Sequence, residues 1–120
     1  MKVLVTGASG FIGSFLCRDL LEAGHTVAVL LRDKSAWRLA DVIDRVQIIS
    51  GDLSDSMKWQ ADMNAFAPDA VAHLGWSGVG NAGRNDPVQR LNLEWTIDLL
   101  RKAGQAGAET FVALGSQAEY

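Results

Sequence analysis

Three glycines at three-residue spacing, in Thr6-Gly7-Ala8-Ser9-Gly10-Phe11-Ile12-Gly13, carry the plainest chemistry in this 120-residue chain. They follow the apolar run Val3-Leu4-Val5 and lead into Ser14-Phe15-Leu16-Cys17, a strand followed by an amphipathic helix. Gly7 suits a tight strand-to-helix turn, Gly10 leaves no Cβ between the backbone and a pyrophosphate, and Gly13 lets the helix pack close to a sheet. The N–H groups of the first helical turn, at Phe11, Ile12 and Gly13, have no partner inside the helix, and with the helix dipole they favour a doubly negative ligand. The pattern predicts dinucleotide binding. The alternative is a tight turn and nothing more. A P-loop is excluded, because no Lys-Ser or Lys-Thr pair ends the loop. A methyltransferase-type loop shares the glycines and is disfavoured by the strand that follows.

That second strand bears on the choice of dinucleotide. NAD sites usually place a carboxylate at its end, roughly 20 residues past the glycines, where it accepts from the ribose hydroxyls. Here the residues are Leu30-Leu31-Arg32-Asp33. A guanidinium at Arg32 can hold a 2′-phosphate bidentately and stack on adenine, which points to NADP. The other reading makes Arg32 a solvated charge and gives the ribose to Asp33, and NAD to the site. Of the remaining reactive side chains, Cys17 reads as a small core hydrophobe, His73 as a satisfied core residue and Arg84 as a surface charge.

Strands alternating with helices position these residues, which predicts an α/β fold: a Rossmann-like doubly wound parallel sheet of about five strands, helices on both faces. The strands are expected at Lys2–Thr6, Thr26–Leu31, Arg45–Ile49, Ala70–Leu74 and Thr110–Gly115. Helix one is expected from Phe11 to about Ala23, stopped by Gly24. Trp37 falls in a segment, Ser35 to Val42, of one or two helical turns. Ser54 is the expected cap of a helix reaching Phe66, after which Pro68 ends it. Asp86-Pro87-Val88-Gln89 opens a helix to about Ala106, with Leu91, Trp95 and Leu99 on its packed face, Ile97 and Leu100 widening it. Trp59 and Trp95 both read as core.

Composition agrees with one globular domain: 48% hydrophobic, 21% charged, net charge −3. The scattered basic residues give no footprint for nucleic acid. No stretch approaches the roughly 18 to 20 apolar residues that span a membrane. Met1-Lys2 runs directly into the first strand, so no signal peptide is expected and the default location is cytoplasmic.

Thr-Gly-x-x-Gly-x-x-Gly at Thr6 to Gly13 resembles the extended short-chain dehydrogenase/reductase family, the group that includes nucleotide-sugar epimerases and dehydratases. The later motifs resemble it in order and spacing over essentially the whole chain. The resemblance implies that Asp52 accepts from the exocyclic amine of adenine and Leu53 packs on its ring, where a helix-capping aspartate is the plainer alternative. His73-Leu74-Gly75-Trp76 resembles the His-Leu-Ala-Ala stretch, so Leu74 and Gly75 are expected along the nicotinamide-side ribose; Trp76 departs from the pattern and either shapes the sugar pocket or packs. Asn92 matches the family's helix asparagine, which braces the backbone beside the cofactor.

Gly115-Ser116-Gln117-Ala118-Glu119-Tyr120 resembles the stretch in which a hydroxyl meets the substrate oxygen that becomes a carbonyl, and Ser116 falls on it as the catalytic residue. Gln117 and Ala118 stand where the sugar 4,6-dehydratases carry Asp-Glu, which argues against that chemistry. The family's proton-moving Tyr-x-x-x-Lys pair has no counterpart, Tyr120 being the single tyrosine and matching a structural one. The resemblance therefore implies the NAD(P)-binding part, residues 1–120, of an oxidoreductase that transfers hydride at C4 of a nucleotide-linked sugar as reductase or epimerase, with homodimers formed through the helix from Pro87. A non-catalytic dinucleotide-binding or sensor module is the alternative, and a reductase of small ketones or aldehydes a third. No metal is expected.

Overall fold

The computed structural model describes residues 1–32, 37–75 and 88–114. Strands β1 (Lys2–Thr6), β2 (Thr26–Leu31), β3 (Gln47–Ser50), β4 (Ala70–His73) and β5 (Thr110–Ala113) form one parallel sheet in the order β3-β2-β1-β4-β5. Helices α1 (Phe11–Glu22), α2 (Ser56–Phe66) and α3 (Val88–Gln105) and two single turns of 3₁₀ helix, Trp37–Leu39 and Ile43–Arg45, lie between them. The doubly wound parallel sheet read from the sequence is the sheet observed.

Strand alternation divides the core in two. Val3 and Val5 of β1 and Val27, Val29 and Leu31 of β2 face α1, where Cys17, Leu39 and Val42 complete a cluster. Leu4, Ala28, Leu30 and Val71 point the other way, into Trp59, Met63 and Phe66 of α2 and Leu99 and Ala103 of α3. Both faces of each central strand are buried, so the strands read as nearly continuous apolar runs. Burying each large side chain contributes about 1.5–3 kcal/mol. Cys17 is the core hydrophobe expected, and burial pushes its thiol up to about 11.

Helix ends follow local chemistry with two exceptions. Gly24 takes φ +89 just past α1, and its N–H donates to the Leu21 carbonyl at 3.1 Å. Ala67 ends α2 in the left-handed region at φ 54, its N–H bonded to the Met63 carbonyl. The start of α2 differs from expectation. Asp55, not Ser54, precedes the helix and makes no side-chain cap, while the Ser54 hydroxyl and N–H both donate to Asp52 Oδ1 at 3.0 Å. A short hydroxyl beside an aspartate satisfies the loop before it reaches the helix. The third strand also begins later, at Gln47, because Ile43–Arg45 closes a 3₁₀ turn. Asp86 and Pro87 lie outside the described residues.

The packed face of α3 keeps Leu99 of the expected line but not Leu91. Asn92, Leu99 and Ala103 are buried, whereas Leu91, Leu93, Ile97 and Leu100 are exposed. The inward line carries the polar residue Asn92 where the helix meets hydrogen-bonding groups at the carboxyl ends of the strands. Trp59 is core, 1% exposed, but Trp95 is only half-buried.

Gly13 is the tightest point between α1 and the turn before it, since a Cβ there collides with the Gly7 carbonyl oxygen and carbon. Gly13→Ala is expected to lower the unfolding free energy by about 1–3 kcal/mol in denaturant titration. Gly104 on α3 has open space where a Cβ would lie. Gly104→Ala is expected to raise stability by about 0.4–1 kcal/mol in the same measurement.

Candidate dinucleotide-binding site

The turn after β1 is built from close backbone contacts. Gly7 has φ +72, and a Cβ on it lies 2.5 Å from the Leu74 carbonyl carbon and 2.7 Å from the Gly75 nitrogen. The Gly10 N–H closes the turn on the Gly7 carbonyl at 3.1 Å, and Gly10 then stands at the N-cap of α1 without a side-chain cap. No acidic residue occupies the first turn of α1. Its amides and dipole are therefore directed at whatever occupies the space in front of them.

That space is an open cleft of about 360 Å³ at the carboxyl ends of the strands. It is within the size range of ligand sites. Thr6, Gly7, Ser9 and Gly10 form its floor; Leu30 and Arg32 close one end; Gly51, Asp52 and Leu53 follow; Leu74, Gly75 and Trp95 close the other. The structure thus brings Gly7, Gly10, Arg32, Asp52, Leu53, Leu74 and Gly75 onto one wall system from four strand ends. Phe11 and Ile12 lie exposed at the start of α1, Gly13 is buried behind the turn, and Asn92 is buried on α3 away from the cleft wall. Ser116, Trp76, Arg84 and Asp33 lie outside the described residues.

A second guanidinium reaches the carbonyl of Ser9, a residue of the cleft wall. Arg38, on the first 3₁₀ turn, donates from Nη1 to the Ser9 carbonyl at 3.3 Å and lies 4.5 Å over the Trp37 ring. The turn is tied to α1 by Arg18, which bonds Asp41 twice, at 2.9 and 2.6 Å, and also donates to the Arg38 carbonyl. Their hydrogen bond holds the Asp41 carboxyl below its usual range and raises the Arg18 guanidinium. Asp52 uses Oδ1 for Ser54 and its carbonyl for the Trp59 indole N–H, 2.9 Å away. The aspartate braces its own loop and does not cap α2.

The other end hangs on a buried imidazole. Sheet register pairs Thr6 with His73, and Thr6 Oγ1 lies 2.6 Å from His73 Nδ1. Thr6 Oγ1 also accepts from the N–H groups of Leu74 and Gly75, at 3.1 and 3.0 Å. His73 Nε2 lies 2.9 Å from Thr96 Oγ1, and the Thr96 hydroxyl donates to the Asn92 carbonyl at 2.8 Å. A carbonyl only accepts, which fixes the protons as far as Nε2, and the neutrality of the buried ring fixes the rest. The Thr96 proton goes to Asn92, Nε2–H donates to Thr96, and the Thr6 hydroxyl donates to Nδ1. His73 is therefore the neutral Nε2–H tautomer, and burial lowers its pKa to about 4. The reading of His73 as a satisfied core residue agrees with this geometry.

The cleft is also lined by Thr6, Ser9, Leu30, Gly51 and Trp95, which are not read as site residues from the sequence, and Arg38 reaches it through the Ser9 carbonyl. Trp95 looked like core because its i, i+4 partners are leucines, and the signal against that was the polar line Asn92–Thr96 beside it. For Arg38 no local signal exists, since its contact spans 29 residues.

Fold and cleft together define a Rossmann-type dinucleotide-binding protein. The chain belongs to the NAD dependent epimerase/dehydratase family, whose model matches residues 3–120. It is 33% identical over 129 residues to a UDP-glucose 4-epimerase of Klebsiella pneumoniae, covering 100% of this chain and 92% of that one. Among solved structures it resembles the UDP-glucose-4-epimerase of Stenotrophomonas maltophila with bound NAD and formylated UDP-arabinopyranose, at a TM-score of 0.82 and 29% identity over 98% of this chain and 37% of that one. The Thermus thermophilus UDP-glucose 4-epimerase complex with NAD gives 0.77 and 33% over 92% and 36%. The chain thus spans just over a third of these solved relatives. Among the described residues, no helix is long and apolar enough to cross a membrane, and no cluster of ligating side chains could hold a metal.

The pKa of His73 lies below its ordinary value of 6.5, so as pH falls the unfolded chain takes up a proton that the folded chain refuses. Stability present above about pH 6.5 is expected to decline toward about pH 4, by about 3 kcal/mol in all. Denaturant titrations across that range are expected to show this loss in the wild type and its absence in His73→Gln.

Proposed function

We propose that this chain is the dinucleotide-binding part of an NADP-dependent oxidoreductase that transfers hydride at C4 of a nucleotide-linked sugar. One observation carries the reading: the glycine turn, the uncapped start of α1, Arg32 and Asp52–Leu53 face a single cleft. The residues fit such a cofactor. Gly7 and Gly10 keep the backbone bare in front of a helix N-terminus, which suits a diphosphate. When bound, a nicotinamide dinucleotide supplies the hydride acceptor and donor.

The chain's own groups then divide the work. Amides at Phe11, Ile12 and Gly13 hold the diphosphate. Arg32 grips the 2′-phosphate, and Arg38, steadied by Trp37 and by Arg18, adds a second guanidinium beside Ser9. Asp52 accepts from the exocyclic amine of adenine, and Leu53 packs on the ring. Leu74 and Gly75 line the nicotinamide-side ribose, with Asn92 bracing the helix behind them. Ser116 donates a hydrogen bond to the C4 carbonyl oxygen of a 4-keto sugar. The epimerase relatives and the UDP-sugar in one of their structures support the substrate class. Two of the solved relatives are complexes with NAD; the arginine directly after β2, with a second arginine near, supports NADP here. A cytoplasmic location belongs to the same reading. A homodimer through α3 is supported by its exposed stripe of Leu93, Ile97 and Leu100.

Titration with both dinucleotides tests the cofactor. NADPH is expected to bind at least tenfold more tightly than NADH, about 1.4 kcal/mol, with Arg32→Ala abolishing the difference and Arg38→Ala reducing it. Equal affinities in the wild type overturn the NADP assignment. In the protein that carries this chain, a nucleotide-linked 4-keto sugar is expected to drive NADPH oxidation, and Ser116→Ala to slow it by about 10² or more. No oxidation with any such sugar rejects the substrate class. Sedimentation is expected to show a dimer that Ile97→Glu dissociates, and a monomeric wild type refutes that contact.

A further inference from the structure

We propose that His73 is a positioning residue that sets the width of the dinucleotide cleft by tying three of its walls together. This role rests on the cofactor reading above. The hydrogen-bonded chain from the Leu74 and Gly75 amides through Thr6, His73 and Thr96 to the Asn92 carbonyl passes beside three wall residues. Gly7 follows Thr6, Gly75 lies two residues past β4, and Trp95 precedes Thr96, and all three line the cleft. One imidazole thereby links the β1 turn, the end of β4 and helix α3.

Among the described residues, apolar packing is concentrated at one end of α3. Its buried apolar contacts, Leu99 and Ala103, lie toward the far end, whereas Leu91, Leu93 and Ile97 near the cleft are exposed. The Thr96–His73 bond ties the cleft end to the sheet one residue from Trp95. The turn cannot drift on its own side. Gly7 already lies too near Leu74 and Gly75 for any Cβ, so a small change in the Thr6 anchor changes the gap that a ribose or diphosphate must fit. The imidazole suits the task because it presents an acceptor and a donor on opposite sides of one rigid ring, and the terminal carbonyl dictates which is which.

Thr96→Val keeps the side-chain shape and removes the hydroxyl. It is expected to weaken NADPH and NADH by the same factor, about tenfold, while Thr96→Ser restores wild-type affinity for both. Arg32→Ala, in contrast, is expected to move NADPH alone. A Thr96→Val chain that binds both dinucleotides as tightly as wild type, even with a lowered melting temperature, overturns the positioning role and leaves the cofactor reading intact. A wild-type chain that binds neither dinucleotide overturns both. Imidazole nitrogen shifts of the wild type supply a reading that needs no variant: the Nε2–H tautomer is expected with and without NADPH, and Nδ1–H contradicts the proposal.

Discussion

The contact between the Gly7 turn and the Leu74–Gly75 peptide sets the geometry of this protein. Two backbone segments, 67 residues apart, meet with no room for a side chain between them. Parallel pairing of β1 with β4 brings them to the same level, and the Thr6 hydroxyl accepts from the Gly75 amide while sharing the Leu74 amide with the Thr6 carbonyl. An N–H buried there without a partner costs about 1–3 kcal/mol. The glycine is thus required by the sheet as much as by any ligand, and the bare backbone that faces the cleft follows from the same approach.

The polar groups along this seam behave as a unit. Thr6, His73, Thr96 and Asn92 are all buried or half-buried, and each hydroxyl serves as donor and acceptor at once. Because the last acceptor is a carbonyl, the protons have one consistent arrangement. Desolvation keeps the imidazole neutral, and neutrality keeps that arrangement in place. A polar network satisfied in this way adds rigidity, where the same groups half-satisfied would be a defect.

Much of the fold was legible because its signals are local. Alternating apolar runs gave the strands, Gly24 and Pro68 marked helix ends, and the glycine spacing after β1 located the cleft. Legibility failed where a contact bridges distant segments or where two local partners compete. Ser54 looks like a cap in isolation, but Asp52 two residues earlier takes its hydroxyl. The leucines of α3 suggest an inward face that the polar groups at the strand ends in fact draw toward Asn92 and Thr96. Arg38 reaches Ser9 only because Arg18 and Asp41 bring a 3₁₀ turn against α1. Of the site, the residues within motifs were readable, and those that steady the motifs from other elements were not.

The two-sided core has a consequence for how such a protein diversifies. The 3₁₀ turn bearing Trp37 and Arg38 is rooted through Leu39 and Val42 in the cluster under α1. Helix α3, with Trp95 and Thr96, is rooted through Leu99 and Ala103 in the cluster on the opposite face. The sheet stands between them as a partition. Substitutions around Arg38 are absorbed by one core, and those around Trp95 by the other. The two supports of the cleft are therefore free to change one at a time within a single small domain.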